Sequence, residues 1–267
     1  MTRTPGMRRD TENTGRTGPR PAAVAPGPAG PRAASVPPGA GQPEHSGRRL
    51  VAQDVLERSP VVANNTMNRG RGLAGVNSYA RELGFDPLAH LLSRPACPSW
   101  LDLCSGEGRA LHEAVSVLPA DAVVTGVDLV GPMAPLPAPP GLERVVASVA
   151  SWTPERTYAL VTCVHGLHYV GDQLGLLARA ASWVTDDGLL VAHFDPDSIR
   201  WADGAPAGRA AVRALRAAGY EYAPRHHRLT LRGGRTAELP FRYLGGDPAA
   251  GPNYTGQPAV ASFYTPA

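Results

Sequence analysis

The segment Asp102-Leu103-Cys104-Ser105-Gly106-Glu107-Gly108 decides the fold of this chain. It places an acidic residue near the end of a short apolar run, followed by a Gly-x-Gly turn that opens the helical pattern GRALHEAVSVL. Glycine lets the backbone approach a ligand closely, and the N-terminus of a helix offers amide groups to anionic atoms. The segment therefore predicts a strand, a turn and a helix beside a ligand site.

The next apolar run, VVTGVDL, includes Asp128 near its end. A carboxylate in that place can accept hydrogen bonds from both hydroxyls of a ribose. Dinucleotide-binding proteins have Gly or Ala three residues after the position of Gly108, whereas this chain has Leu111 there. The residues thus indicate a nucleoside site, with an ordinary tight turn beside a solvated Asp as the alternative.

Strands and helices alternate after this unit, which favours a parallel sheet. Further strands are predicted at RVVASV, YALVTCVHG and LLVAHFD, with the helix QLGLLARAASWV before the last of them. After the helix RAAVRALRAAG, the runs HRLTLR, ELPFRYLG and AVASFYT follow with no helix between them, so an antiparallel edge is expected. We assign ELPFRYLG and AVASFYT to the sixth and seventh strands, with a hairpin around Gly233-Gly234 as the alternative.

The chain divides into three parts by composition. Residues 1–47 hold nine of the 28 prolines and eight of the 30 glycines, with few large apolar residues. Such a segment cannot bury enough surface to offset its ordering entropy, so a disordered tail is predicted. Residues 48–95 show apolar residues at helical spacing and are predicted to form a helical lid, while residues 96–267 form the main domain.

Charge and cysteine content exclude several classes of protein. All 26 basic residues are arginine, which excludes a lysine Schiff base and the lysine of a P-loop. Eight arginines against three acidic residues give the tail to position 49 a charge of +5, which leaves −2 of the total +3 for the rest. No nucleic-acid partner is expected for that part.

Three cysteines without a CxxC pair predict neither a disulfide framework nor a metal site. No apolar run reaches the ~18 residues of a membrane span, so a soluble, cytoplasmic protein is expected.

LDLCSGEGRAL followed by GVDL resembles the first two motifs of class I S-adenosylmethionine-dependent methyltransferases. The resemblance covers residues 96–200 by motif and the remainder by element order. It implies a Rossmann-like sheet of seven strands in the order 3-2-1-4-5-7-6, mostly parallel, with the last strand antiparallel and helices on its flanks. It also implies S-adenosylmethionine as the cofactor.

Carried over by position, the resemblance implies a set of cofactor-binding residues: Asp102, Cys104, Gly106, Gly108, Asp128, Ser148, Val149 and Cys163. Two of them depart from the family pattern. Cys104 replaces the usual first glycine, which is tolerated where the backbone φ is negative. Ser148 stands where the family usually has an Asp for the adenine amine, so adenine would depend on Ser148, the Val149 amide and stacking on Trp152.

The run TCVHGLHYV resembles the family's fourth-strand segment, whose last residues face the transferred methyl group. Histidine has an ordinary pKa of ~6.5 and suits proton removal at neutral pH, so His165 is the first candidate for the catalytic base. A structural role is the alternative for His165. Asp195, at the end of the fifth strand, is the second candidate, with a helix N-cap role before Pro196 as its alternative.

Two segments are predicted to contact the substrate. The lid contributes Asn68, Arg69 and Tyr79, and the loop GGDPAAGPNYTGQP contributes Asn253 and Tyr254. His168 is also a candidate, although a structural role is favoured for it. Solvent-exposed helix surface is the alternative for the lid residues.

The sequence thus predicts methyl transfer to an oxygen or nitrogen of a small molecule or short peptide. DNA amine methylation is disfavoured, because the fourth strand ends in Thr162-Cys163-Val164-His165 and lacks the Asn/Asp-Pro-Pro-Tyr/Phe pattern. Two alternatives stay open: a catalytically silent methyltransferase-like domain that binds a ligand or partner, and a nicotinamide-dependent oxidoreductase.

Overall fold

The computed structural model describes residues 50–63, 70–131 and 138–267. The predictions for residues 1–47, and for Asn68 and Arg69, lie outside these ranges. The described helices are α1 Gln53–Glu57, α2 Tyr79–Leu83, α3 Pro87–Leu92, α4 Arg109–Val115, α5 Gln173–Ala180 and α6 Gly208–Ala217. The strands are β1 Ser99–Leu103, β2 Val123–Asp128, β3 Leu142–Val146, β4 Tyr158–Cys163, β5 Val184–His193, β6 Ile199–Trp201, β7 Glu221–Ala223, β8 Arg228–Arg232, β9 Phe241–Asp247 and β10 Ala261–Pro266.

Seven strands form the central sheet in the order β3-β2-β1-β4-β5-β8-β7. The five strands from β3 to β5 are parallel, and β8 runs antiparallel to both β5 and β7. With β7 as the sixth strand and β8 as the seventh, this is the predicted order 3-2-1-4-5-7-6 with an antiparallel last strand. The predicted fold class is confirmed.

The assignment of the last two strands was wrong. ELPFRYLG and AVASFYT do not extend the central sheet; they supply β9 and β10 of a separate three-stranded sheet in the order β6-β10-β9. Gly233-Gly234 does not join two strands of a hairpin either, since its amides bond to Gly188 O and Thr185 O at 2.9 Å each. Alternating apolar residues predict that a strand exists, but strand partners are set by contacts distant in sequence.

Helices cover both faces of the central sheet. One apolar cluster contains residues of α2, α3 and α4, and Trp100 and Leu160 point into it. The other contains residues of α5 and α6 and receives the following residues, Leu101 and Val161. Successive strand residues therefore face opposite layers, as the period of two in a strand requires.

Short polar side chains fix where several of these helices begin. Ser78 accepts a hydrogen bond from Arg81 N, Asp86 accepts from Leu88 N, and Asp172 accepts from Gly175 N. These residues satisfy amides that have no partner inside the first helical turn. None of the helices in the described ranges is long and apolar enough to cross a membrane.

Candidate functional site

The carboxyl ends of β1, β2, β3 and β4 open onto one cavity of about 670 Å³. Ligands of parallel sheets bind at this edge. Seven of the residues predicted for the site line the cavity: Cys104, Gly106, Asp128, Ser148, Val149, His165 and His168. The structure therefore brings together the loops that follow four strands.

Asp128 ends β2 at the cavity wall. Its Oδ2 accepts a hydrogen bond from Gly106 N at 2.8 Å, and its Oδ1 accepts from Val130 N at 3.0 Å. Burial raises the pKa of this carboxyl, and the two amide donors oppose the shift. A carboxylate has about four acceptor sites, so Asp128 keeps capacity for a ligand.

Asp102 lies beneath the cavity rather than in its lining. It is fully buried, and its carboxylate accepts from Tyr79 Oη and from Thr162 Oγ1, both at 2.5 Å. Trp100 Nε1 donates to the same threonine hydroxyl at 2.8 Å. Burial raises the Asp102 pKa to about 7. Tyr79, predicted to contact the substrate, thus donates to Asp102 outside the cavity lining and fastens α2 to β1.

Three residues other than glycine have a positive φ in the described part of the chain: Cys104 (57°), His165 (59°) and His227 (46°). Cys104 and His165 line the cavity, and the ring of His227 stacks on Tyr254 at 3.8 Å. Cysteine in place of the family's first glycine was expected to be tolerated only where φ is not positive, and the structure does not meet that condition. Left-handed backbone costs a non-glycine residue about 1–3 kcal/mol, and such strain is concentrated at functional sites.

His165 is held between two polar partners. Its Nε2 lies 3.0 Å from Glu82 Oε2, and its Nδ1 lies 3.3 Å from Tyr254 Oη. The hydrogen bond from His165 lowers the Glu82 pKa to about 2, so this carboxyl is ionised at neutral pH. Since Nε2 faces a carboxylate, it carries the ring hydrogen and leaves the Nδ1 lone pair as the acceptor.

Sequence reasoning missed Glu82, because a glutamate in the amphipathic pattern NSYARELG is what a solvated helix face also shows. His193, at the end of β5, stacks on His165 with ring centroids 4.2 Å apart and planes 15° apart. Its Nε2 lies 3.4 Å from the same Glu82 oxygen. Burial lowers the His193 pKa to about 3, so its ring is neutral.

Glu82, His165 and His193 bring three potential metal-ligand atoms within 4.8 Å of one another. Both Nε2 atoms approach the same oxygen of Glu82, at 3.0 Å for His165 and 3.4 Å for His193. A carboxylate shared by two imidazole rings accounts for this arrangement.

The loop between β9 and β10 reaches the cavity with Thr255, Gln257 and Pro258, and Tyr254 contacts His165. Asn253 is directed into its own loop, because its Oδ1 accepts from Thr255 N and Oγ1 at 2.7 and 2.6 Å. The loop thus lies beside the site as expected, although the strands that flank it belong to the second sheet.

Asp195 does not line the cavity. Its Oδ1 caps the short turn at Pro196–Ser198 by accepting from Asp197 N at 3.0 Å. Its Oδ2 lies 3.3 Å from Tyr254 N, which ties the Tyr254 loop to the end of β5. The structure therefore shows the N-cap alternative for this residue.

Three further residues that the resemblance singled out lie outside the cavity lining. Gly108 is the N-cap of α4 with φ of 68°, and Cys163 is buried at the end of β4. Trp152 packs edge-on against Trp183 at 6.0 Å, so the adenine-stacking role expected of it finds no support in its position.

Helix α1 adds two residues that the sequence did not indicate. Gln53 and Glu57 line the cavity near the end of β3. Glu57 Oε1 accepts a hydrogen bond from Ser148 Oγ and another from Gln53 Nε2 at 2.7 Å. A carboxyl group thus lies beside Ser148.

A family model described as a methyltransferase domain matches residues 76–230. This range holds the four strand ends of the cavity together with Glu82 and His165. The chain belongs to the methyltransferase domain family. The predicted class I S-adenosylmethionine-dependent methyltransferase is thereby confirmed, and S-adenosylmethionine is the cofactor of that class.

Solved methyltransferase structures are similar to this chain at low identity. CalS10, an amino pentose methyltransferase from Micromonospora echinaspora, is 20% identical over 43% of this chain and 50% of its own, with a TM-score of 0.34. The N-methyltransferase NodS from Bradyrhizobium japonicum WM9 is 12% identical over 68% and 98%, with a TM-score of 0.41. The 1,6-didemethyltoxoflavin-N1-methyltransferase of Burkholderia thailandensis is 21% identical over 56% and 77%, with a TM-score of 0.38. This chain thus spans half the length of CalS10. A search of curated proteins finds no match.

Proposed function

We propose that this methyltransferase acts on an oxygen or nitrogen atom of a small molecule or a short peptide. The observation that carries the proposal is the meeting of two features in one cavity. Nucleoside-binding groups follow β1 to β3, and a histidine held by a carboxylate follows β4. When bound, S-adenosylmethionine supplies a methyl group already activated on a sulfonium.

The residues of the cavity fit this cofactor. The cavity volume of about 670 Å³ lies within the range of ~300–1,000 Å³ that is typical of small-molecule sites. Asp128 is placed to hold the ribose hydroxyls, and Gly106 brings backbone close to the ligand without a Cβ. Ser148 and Val149 form the wall after β3. Methyl transfer then depends mainly on alignment of the acceptor, because well-oriented reactants gain effective molarities of up to ~10⁸ M.

His165 removes the proton of the acceptor in this proposal. Glu82 holds the Nε2 hydrogen, so Nδ1 is the basic atom, and the carboxylate stabilises the charge that forms when Nδ1 takes a proton. Tyr254 Oη lies 3.3 Å from Nδ1, and in this proposal an acceptor hydroxyl or amine replaces the tyrosine hydroxyl there. Arg71 lies 3.8 Å from the other oxygen of Glu82 and keeps this carboxyl in place.

Asp195 and Asn253 act on the acceptor indirectly in this proposal. Asp195 holds the backbone of Tyr254, and Asn253 shapes the turn that follows. His168 lines the cavity and contacts Tyr254 edge-on, with ring centroids 5.2 Å apart. These residues set the shape of the acceptor side.

The test measures binding and turnover separately on the full chain. Calorimetry with S-adenosylhomocysteine should show binding by the wild type, and Asp128→Ala should lose most of it because the ribose loses its acceptor. Release of S-adenosylhomocysteine is then followed with a panel of small amines, alcohols, carboxylic acids and short peptides. His165→Asn should keep cofactor affinity and lower turnover by roughly 10²- to 10⁴-fold, the range for general acid-base catalysis.

His226→Asn, at an exposed histidine, is the matched control and should behave as the wild type. Wild-type turnover by His165→Asn would mean that catalysis rests on alignment alone. Binding without methylation of any acceptor would support a ligand-binding domain instead. No binding by the wild type would overturn the proposed cofactor site.

A further inference from the structure

The wall after β3 lacks the acidic residue expected there, and a glutamate from a distant part of the chain stands beside it. The resemblance implies an adenine-binding Asp where this chain has Ser148, and Glu57 of α1 accepts a hydrogen bond from the Ser148 hydroxyl. We infer that Glu57, assisted by Gln53, binds the exocyclic amine of the cofactor's adenine. This inference rests on the proposed binding of S-adenosylmethionine in the cavity.

The hydrogen bonds around Glu57 fix the orientation of its carboxylate. Ala150 N donates to Ser148 Oγ at 3.1 Å, and this hydroxyl donates to Glu57 Oε1. Gln53 Nε2 donates to the same oxygen at 2.7 Å. Both donors use Oε1, so Oε2 is left as an acceptor within the described part of the chain.

Gln53 orients the carboxylate of Glu57 and does not meet the ligand through its own carbonyl. Its Oε1 is buried close to Gly171 and Tyr243, so this atom is not exposed to the cavity. Glu57 lines the cavity, and its Oε2 accepts a hydrogen of the exocyclic amine in this inference.

The helix that carries these residues is fixed to the second sheet. Val51 and Gly246 exchange two backbone hydrogen bonds of 2.9 and 3.1 Å. Leu56 is fully buried, and a Cβ built on Gly171 or Gly246 would lie 2.8 or 2.9 Å from its Cδ2. Helix α1 is thus packed too closely to shift, which gives the small sheet a role in positioning Glu57.

The chemistry of this subsite predicts selectivity for an amine over a carbonyl. A carboxylate accepts the hydrogens of the adenine amine, whereas the oxygen at the same position of hypoxanthine offers only lone pairs to it. Hydrogen bonds to charged groups contribute enough for an affinity difference of about 10- to 100-fold.

The experiment compares two ligands on the full chain by calorimetry: S-adenosylhomocysteine and S-inosylhomocysteine, in which an oxygen replaces the exocyclic amine and the neighbouring N1 carries a hydrogen. The wild type should bind the adenosyl ligand about 10- to 100-fold more tightly. In Glu57→Gln the affinity for the adenosyl ligand should decrease by a similar factor. The affinity for the inosyl ligand should not decrease, because the new amide can donate a hydrogen bond to the carbonyl of hypoxanthine. Asp54→Asn is the matched control on the same helix, since Asp54 is exposed and pairs with Arg58, and it should keep the wild-type ratio.

Three results would overturn the inference: equal binding of the two ligands by the wild type, an unchanged ratio in Glu57→Gln, or an equal loss for both ligands in that variant. The first of these needs no variant and holds even if Glu57→Gln fails to fold. Failure of the wild type to bind either ligand has a different meaning, because it removes the cofactor site itself.

Discussion

At the scale of single residues, the buried carboxylate of Asp102 shows how a motif residue can serve the fold. A carboxyl without water needs donors, and Tyr79 and Thr162 supply one to each of its oxygens. Its raised pKa, about 7, reflects the cost of burying the charge that these two donors only partly offset. The network therefore links the lid helix α2 to the strand that carries the motif.

Tyr79→Phe should lower the free energy of unfolding by about 1–3 kcal/mol, because it leaves one oxygen of a buried carboxyl without a donor. Urea unfolding measured by fluorescence gives this number. Tyr222→Phe is the control, since the Tyr222 hydroxyl makes no hydrogen bond within the described residues. Equal stability of Tyr79→Phe and the wild type would show that the Asp102 network does not hold α2 in place.

The sequence identified the residues of the motif but not their roles. Asp128 and His165 lie at the cavity because their positions follow from strand ends, which periodicity predicts well. Glu57 and Glu82 were not predicted as site residues, since a glutamate on a short amphipathic helix shows the same sequence pattern whether it faces water or a site. The left-handed backbone of Cys104 was not predicted either, because residues other than glycine favour a negative φ.

At the scale of elements, strand order could be predicted and the second sheet could not. The parallel core follows from alternating strands and helices, which leave few topologies. β6 and β7 have only three residues each, too few for an alternating pattern to stand out. β10 pairs with β6, where Ser262 lies opposite Ile199, and β9 joins this sheet only through β10.

The loops after β1 and β4 meet at Gly166, and Gly166→Ala should disturb both. The added Cβ would overlap Cys104 Cβ, which cannot rotate away, and would lie 2.9 and 3.0 Å from the sulfurs of Cys104 and Cys163. We expect a loss of about 1–3 kcal/mol of stability together with weaker S-adenosylhomocysteine binding.

Thermal unfolding with and without S-adenosylhomocysteine measures both effects of Gly166→Ala. Gly131→Ala is the control in the loop after β2, where the nearest atom to the new Cβ is Val146 Cγ2 at 3.5 Å. If the ligand stabilises Gly166→Ala as much as the wild type, the two loops do not jointly shape the site.

At the scale of the whole molecule, buried titratable groups around one cavity set the response to acid. Burial lowers the pKa of His168 and His193 to about 3, far below the ordinary ~6.5. Below pH 6.5, these two histidines bind protons in the unfolded chain and stay neutral in the folded chain. The free energy of unfolding therefore decreases as the pH falls. Asp102 acts in the opposite sense, because the folded chain keeps its proton up to about pH 7 while the unfolded chain releases it near pH 4.

Between about pH 4.5 and 6, these three groups leave a net difference of one proton, which contributes a loss of roughly 1.4 kcal/mol of stability per pH unit as the solution is acidified. Asp102→Asn removes the opposing group and should make the measured slope steeper by about that amount. His168→Phe removes one histidine and should make the slope shallower by about that amount. His226→Phe, at an exposed histidine, is the control and should keep the wild-type slope. Urea unfolding at a series of pH values measures all four. Equal slopes in Asp102→Asn and His168→Phe would contradict the assignment, because the two substitutions change the proton difference in opposite directions.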